Sequence, residues 1–429
     1  MTHPIPNDDN PAAVEPHYGS TVRGRQRFSR REIGAEFDSV LLGGNGAKLF
    51  GLRRMGKSTE AVACAERLRA QGLTVVEIDT QGLVSEADLL MRLFASLPAK
   101  GWGDRVLQAI GGDGNIAAVA REALRQQNRE GLGDVNAYFN TIAVAIERAL
   151  ASGPAATDNA VQGRILLFVD ELPWLCRRIL EGDEAKGRQR IDQLFAALRR
   201  WRDSGMGMLL IGSIGLVGLG REYRLDMNHL NDLTTLSVPP FDTSDAAAVF
   251  VDALAVGAQT RGWSPAHTQA VLDESAAYYP AMLQKAFQVL TIGGEAAALD
   301  RIADLFADKV RPELDKTFFE QFDRRIKLYR AIKEPWAKTI PLICEAVLAA
   351  AAPISRNEIR HHIGADLPTS LDEPTAENAP LDEADLGDAL EMLREDGFID
   401  VRVARDGSQL WRAASPLVTA WRIRRRGGR

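Results

Sequence analysis

Residues 47–59 read AKLFGLRRMGKST, and this stretch decides the fold. GLRRMGKS fits the pattern G-x-x-x-x-G-K-[ST], with Gly51, Gly56, Lys57 and Ser58 in the defining places. The short apolar run Ala47–Phe50 reads as a strand leading into it. STEAVACAERLRAQ follows, with Val62, Ala65 and Leu68 near helical spacing. Strand, glycine-bounded turn and amphipathic helix form the setting in which this pattern has a mechanism. Glycine adopts backbone conformations that side chains resist. The turn's N–H groups and the helix N-terminus can therefore converge on an anion. Gly51, Arg53, Arg54, Met55, Gly56, Lys57, Ser58 and Thr59 are the expected phosphate cradle. Lys57 is expected to reach β- and γ-phosphates and the Ser58 hydroxyl to bind magnesium, with ATP as the nucleotide. For Arg53 and Arg54 three roles stay open: nucleotide contact, contact with a neighbouring protomer, or pairing with surface acids.

RILLFVDELPWL, at 164–175, supplies the second half of the expected site. Leu166 to Val169 make a buried central strand that delivers Asp170 to its carboxyl end, the edge where open parallel sheets bind ligands. Asp170 is expected to hold magnesium and Glu171 to polarise an attacking water. A third strand, GMGMLLIGS, ends at Ser213, a candidate to sense the γ-phosphate or a simple turn residue. Transition-state charge on a transferred phosphoryl group also calls for an arginine. Arg221 and Arg224, in GLGREYRLD, are the candidates.

Strands alternating with helices predict an α/β fold with a mostly parallel sheet covered on both faces. LTVVEID is a further strand, the segment from about 83 to 160 reads as helical, and LTTLSVPPF is expected to return to the sheet. Asp134 is a cap candidate for the helix beginning DVNAYFN. The expected division is a flexible tail at 1–26, a nucleotide-binding core at 27–242, a helical lid at 243–324 and a last domain at 325–429. The chain has 429 residues and a formal net charge of −6, so no global basic field draws it to nucleic acid or anionic lipid. Cys64, Cys176 and Cys344 are far apart and read as reduced core residues. With no long apolar run and no basic-then-apolar leader, a cytoplasmic protein is expected.

The last 100 residues carry their own pattern. PLICEAVLAAAAPISRNEIRHHI reads as helix, turn and a second helix capped by Ser355. DEADLGDALEMLREDGFIDVRV adds a third helix, with Leu386, Leu390 and Leu393 inward, and an Asp-Gly turn joins two final strands. That is the order of a winged helix, whose third helix commonly enters the DNA major groove. Here Asp382, Glu383, Asp385, Asp388, Glu391, Glu395 and Asp396 stand against Arg394 alone. Phosphate neutralisation needs Lys and Arg, so this helix is expected to pack on protein instead. The wing (Arg402, Arg405, Arg412) and the tail (Arg422, Arg424, Arg425, Arg426, Arg429) leave a peripheral DNA contact as the alternative. His361 and His362 are adjacent on a helix, do not share a face, and are not expected to bind metal.

These motifs resemble the prokaryotic P-loop ATPases often called archaeal-type ATPases, which sit near the STAND and AAA+ groups. The resemblance covers most of the chain from Phe28. FSRRE at 28–32 is similar to that family's opening F-x-G-R-x-x-E box, with Ser29 in place of glycine. GLRRMGKST resembles its G-P-R-R-x-G-K-[ST], with Leu52 where proline is usual. FVDELPWL and LLIGSIGL resemble its acidic and serine-terminated strands, and YYPAMLQ at 278–284 its lid segment, with Tyr278 replacing glycine. The resemblance implies a P-loop NTPase sheet with a helical lid and a C-terminal winged-helix domain. It also implies ATP hydrolysis, magnesium dependence, and partners that are copies of the chain or other proteins.

Overall fold

The structure is a computed structural model and describes residues 13–16, 27–28, 30–44, 46–97, 104–110, 135–151, 164–275, 277–332, 339–366 and 383–427. Asp134, Ser29, Asp382 and most of the expected N-terminal tail lie outside the described residues. Contacts divide the chain into two compact units. One comprises Met1–Arg31, Gly51–Thr59 and Val238–Arg429, the other Glu32–Phe50 and Glu60–Ser237. The segments expected as separate domains at 243–324 and 325–429 thus belong to one compact unit.

The second unit is built on a five-stranded sheet. Its strands are β1 (Ala47–Phe50), β2 (Thr74–Asp79), β3 (Ile165–Asp170), β4 (Gly207–Gly212) and β5 (Thr234–Thr235). Their order is β2-β3-β4-β1-β5, and every neighbouring pair is parallel. The expected return of LTTLSVPPF to the sheet is the two-residue β5 beside β1. β3 is buried from Ile165 to Val169 and β4 throughout. This is the signature of a parallel sheet between helical layers, where both strand faces are apolar. On one face Val76, Leu167 and Leu210 pack with helices Glu86–Ser96, Val135–Ala151, Leu172–Gly182 and Glu184–Asp203, Trp201 lying fully buried among them. The indole of Trp201 donates to the Ala143 carbonyl at 2.9 Å. Helix Leu172–Gly182 is absent from the sequence expectation. Its buried Leu172, Leu175, Cys176, Ile179 and Leu180 have helical spacing, and Pro173 starts it in the first turn, where its missing N–H costs nothing.

Parallel strands end at one edge. Phe50 pairs with Gly212, so β1 and β4 finish level, and Val169 pairs with Leu210, which brings Asp170 to the same edge. That edge carries the residues of interest in this unit.

In the first unit, helices Ser244–Gly257, Pro265–Glu274 and Pro280–Leu290 follow Val238. Thr243 caps the first by accepting from Ala246 N at 3.1 Å. Val14 corrects part of the tail expectation. It is fully buried and its N–H donates to Ala253 O at 2.8 Å. A Cβ on Gly257 would stand 2.1 Å from the Val14 carbonyl, so the backbone at Val14 lies directly against that helix. Further on, helical segments interrupted by π-turns at Phe306–Val310 and Asp315–Phe319 lead into helix Glu320–Ala331. After helix Ile340–Ala349 come β6 (Ile354–Ser355), helices Arg356–Asp366 and Glu383–Glu395, β7 (Ile399–Val403), β8 (Gln409–Ala413) and helix Pro416–Gly427. β6, β8 and β7, in that order, form an antiparallel sheet. Ser355 caps its helix as expected, with Glu358 N donating to Ser355 Oγ at 3.3 Å and Ser355 N donating to Glu358 Oε2 at 2.6 Å.

Candidate functional site

The phosphate-loop sequence folds into a turn closed on its own lysine. Gly51 has φ 141°, Arg54 φ 66° and Gly56 φ 93°. The glycines relieve backbone strain rather than crowding, since a Cβ on Gly51 would meet nothing within 4 Å. Arg54 adopts a left-handed conformation without that relief, a strain of roughly 1–2 kcal/mol of the kind stored at functional sites. Lys57 opens helix Lys57–Ala70, and its ammonium donates to Gly51 O at 2.8 Å and Leu52 O at 2.6 Å. Lys57 is only 8% exposed, so those carbonyls compensate a charge that burial alone would penalise. Leu52 and Met55 point into the protein, Arg53 and Arg54 out of it, and Ser58 and Thr59 are half-buried. The buried Leu52 and Met55 anchor the loop.

At the carboxyl edge of the other unit's sheet, Asp170 and Glu171 follow the buried β3 core. Thr80, fully buried after β2, ties the strand ends together. Its N–H and hydroxyl both donate to Asp170 O, at 3.0 and 2.8 Å. Glu171 sits at φ 61°, ψ 30°, a left-handed hinge that turns the chain from strand to helix Leu172–Gly182. Its carboxylate meets the end of β4. Ser213 N and Ser213 Oγ both donate to Glu171 Oε2, at 3.0 and 2.9 Å. Trp174 Nε1 donates to the same hydroxyl at 3.0 Å, and Ser213 is 2% exposed. Gly212 makes this possible: a Cβ there would stand 2.8 Å from Pro173 Cδ and Cγ and 3.0 Å from Ile214 O. A side chain at 212 would push β4 away from the helix that carries Glu171 and Trp174.

The structure therefore joins Glu171 to Ser213, which were expected as separate actors. Arg221 and Arg224 are exposed, on and just after helix Val217–Tyr223, with Arg224 in a left-handed cap at φ 53°. Trp174 and Gly212 were not singled out from sequence, although Trp174 falls three residues after Glu171, one turn along the new helix. Gln321 was also missed. Its Oε1 accepts from Arg53 N at 2.9 Å. Arg30, in the opening box, donates to Pro239 O at 2.6 Å and Pro240 O at 3.0 Å and lies 5.0 Å from the Phe241 ring centroid.

The C-terminal charges sort differently from their appearance in sequence. Helix Glu383–Glu395 is half-buried or buried beyond Glu383 and Ala384. Glu383 pairs with Arg356 at 3.0 Å and with Arg360, and buried Asp396 pairs with Arg325. Tail residue Arg422 pairs with Glu345 at 2.8 Å, Arg424 with Asp315, and Arg425 lies over the Trp421 ring. Trp421 is buried against Phe322 and Phe398. Arg422, Arg424 and Arg425 thus lie on helix Pro416–Gly427, which is docked through Trp421.

A parallel sheet of this order, with the G-x-x-x-x-G-K-S turn after its first strand, defines a P-loop NTPase fold. The chain is similar to solved structures of that class. With the Walker-type ATPase Paby2304 of Pyrococcus abyssi it shares 15% identity, covering 94% of this chain and 97% of that one, at a TM-score of 0.49. With the ORC2 protein of Aeropyrum pernix in its ADPNP-ADP complexes the values are 15%, 98%, 99% and 0.42. With Cdc6p from Pyrobaculum aerophilum they are 14%, 94%, 94% and 0.34. No protein-family model matches the sequence, and no curated protein matches it either. At such identities activity and partners have to be read from this chain's own residues. Among the described residues no helix is long and apolar enough to cross a membrane.

Proposed function

We propose that the chain binds ATP with magnesium and hydrolyses it as a molecular switch. The observation that carries this is the Gly51–Ser58 turn. It is left-handed at Arg54 and Gly56, it is closed by a buried Lys57 on two of its own carbonyls, and it opens a fourteen-residue helix. A turn of this shape presents backbone N–H groups and one ammonium to a polyanion. In this reading the N–H groups of Arg54 to Thr59 cradle the phosphates, Lys57 contacts the β- and γ-phosphates, and Arg53 flanks them.

Ser58 and Asp170 supply the hard oxygen donors that magnesium prefers. Each is half-buried, which suits an ion that keeps several of its waters. When bound, the metal would neutralise charge on the transferred phosphoryl group. Glu171 acts as the water-orienting carboxylate, and Ser213 with Trp174 fixes its direction. Arg221 or Arg224, exposed on one short helix, can reach a neighbouring protomer's nucleotide. Residues 243–324 serve as a helical lid, and residues 325–429, with their helix–strand–helix–helix–hairpin order from Ile340 to Ala413, serve as a winged-helix domain that contacts protein. Pairing of Arg422 and Arg424 with acids supports this over the alternative of a DNA-associated ATPase, which needs those charges for phosphates.

The test is turnover and binding measured together. Wild type should release phosphate from Mg-ATP, and Glu171→Gln should bind nucleotide as tightly without turnover. Unimpaired phosphate release by that variant would refute the role given to Glu171.

A further inference from the structure

Helix Glu320–Ala331 carries three residues at four-residue spacing, Gln321, Arg325 and Tyr329, on one face. The first reaches the phosphate turn. Gln321 Oε1 accepts from Arg53 N at 2.9 Å, while its Nε2 donates to Thr317 O in the preceding π-turn, so both ends of the amide are engaged. The other two reach Asp396. Arg325 Nη1 and Tyr329 OH both donate to that carboxylate, the latter at 2.5 Å, and all three side chains are buried. Burial, with the Asp396 carboxylate next in size, pushes the Tyr329 hydroxyl well above its usual range, so it stays a neutral donor at physiological pH.

Asp396 is followed by Gly397, at φ 77°, which ends helix Glu383–Glu395. A Cβ placed on Gly397 would lie 3.6 Å from Leu52 Cγ and 3.8 Å from Leu52 N, so the glycine backbone rests against the phosphate turn. Leu52 and Arg53 are thus gripped from two directions within one compact unit, by Gln321 and by the 396–397 turn. The same helix face connects the two grips. Leu52 O is also one of the carbonyls holding Lys57. Movement of residues 52–53 on phosphate binding would therefore be felt at both contacts.

We propose that Gln321 is a positioning residue of the phosphate turn, and that helix Glu320–Ala331 couples occupation of that turn to the Asp396–Gly397 turn of the C-terminal domain. This rests on the turn being the nucleotide site. Coupling is reciprocal: nucleotide should steady the 396–397 turn, and loosening the Asp396 network should weaken nucleotide binding. The Arg53 N–H is a backbone donor, so its acceptor can be removed without altering the loop's own sequence.

Gln321→Met keeps side-chain length and removes the acceptor. In the full chain, titrated calorimetrically with Mg-ATP, it should raise Kd about three- to tenfold, the range for one neutral hydrogen bond. Amide hydrogen exchange over residues 392–398 should slow when Mg-ATP is added to wild type and slow clearly less in the variant. Tyr329→Phe, which removes one oxygen from the Asp396 network, should show the same loss of slowing with a smaller change in Kd. It stands in should Gln321→Met misfold. A wild type that binds Mg-ATP with no change in exchange at 392–398 overturns the coupling alone, as does an unchanged Kd in Gln321→Met. A wild type that takes up no nucleotide refutes the phosphate-site reading itself, and the coupling falls with it.

Discussion

Replacing Ser213 with alanine tests how the carboxylate of Glu171 is aimed. The substitution removes one of two hydrogen bonds to Glu171 Oε2, the 2.9 Å bond from the hydroxyl, and leaves the 3.0 Å bond from Ser213 N. A hydrogen bond to a charged group contributes about 1.5–3 kcal/mol. The bond from the Trp174 indole to that hydroxyl is lost as well. Because Trp174 is only half-buried, that loss sits near the low end, about 1 kcal/mol. With one bond remaining, the carboxylate can still bind nearby but can rotate. The expected outcome is a kcat for phosphate release lowered about tenfold or more, each tenfold being about 1.4 kcal/mol of barrier, with nucleotide Kd within about twofold of wild type. Unfolding in guanidinium should show a loss of about 2.5–4 kcal/mol in the sheet-bearing unit. Trp174→Phe, which removes the indole's bond to Ser213 Oγ but leaves both Ser213–Glu171 bonds in place, should lower kcat by less than Ser213→Ala. A folded Ser213→Ala protein with wild-type kcat would refute the idea that this serine orients the carboxylate.

Gly212→Ala would place a methyl 2.8 Å from Pro173, and it should lower kcat and cost about 1–3 kcal/mol of stability; wild-type values for both would show that the strand and helix separate without penalty. Trp421→Ala, which empties a site between Phe322 and Phe398, should destabilise the unit that contains it by about 3–5 kcal/mol in thermal or denaturant unfolding, and an unchanged stability would contradict the docking of this helix. The three thiols give a pH prediction. Burial raises Cys64 and Cys344 above the usual thiol range and pushes Cys176 up to about 12. Unfolded thiols ionise near pH 8.5, so above that pH the unfolded chain binds fewer protons than the folded one. Stability should therefore be full below about pH 8.5 and fall as pH rises. A thiol reagent at pH 8 should label the native protein far more slowly than the unfolded protein; fast labelling of the native form would contradict the burial.

The alternation of strand and helix was legible because β3 and β4 are continuous apolar runs, and because the Gly51–Ser58 spacing has one mechanical use. The position of Ser213 against Glu171 was not legible, since it depends on the register of β3 against β4, with Phe168 opposite Leu209. Nor was helix Leu172–Gly182 recognised, although its apolar spacing is visible; the acidic pair before it drew the reading toward a strand end. Gln321 gives no signal at all in sequence, being 268 positions from Arg53. The basic tail misleads for a related reason. Charge composition cannot reveal that Arg422 and Arg424 have Glu345 and Asp315 waiting for them in the fold.

The turn ending at Lys57 is the element on which everything else depends. Calorimetric titration of the full chain with Mg-ATP, beside Lys57→Ala, addresses it directly. Saturable one-site uptake by wild type, with affinity lost at least a hundredfold in the variant, is the predicted result. Equal heats from both proteins, or none from a folded wild type, would contradict it.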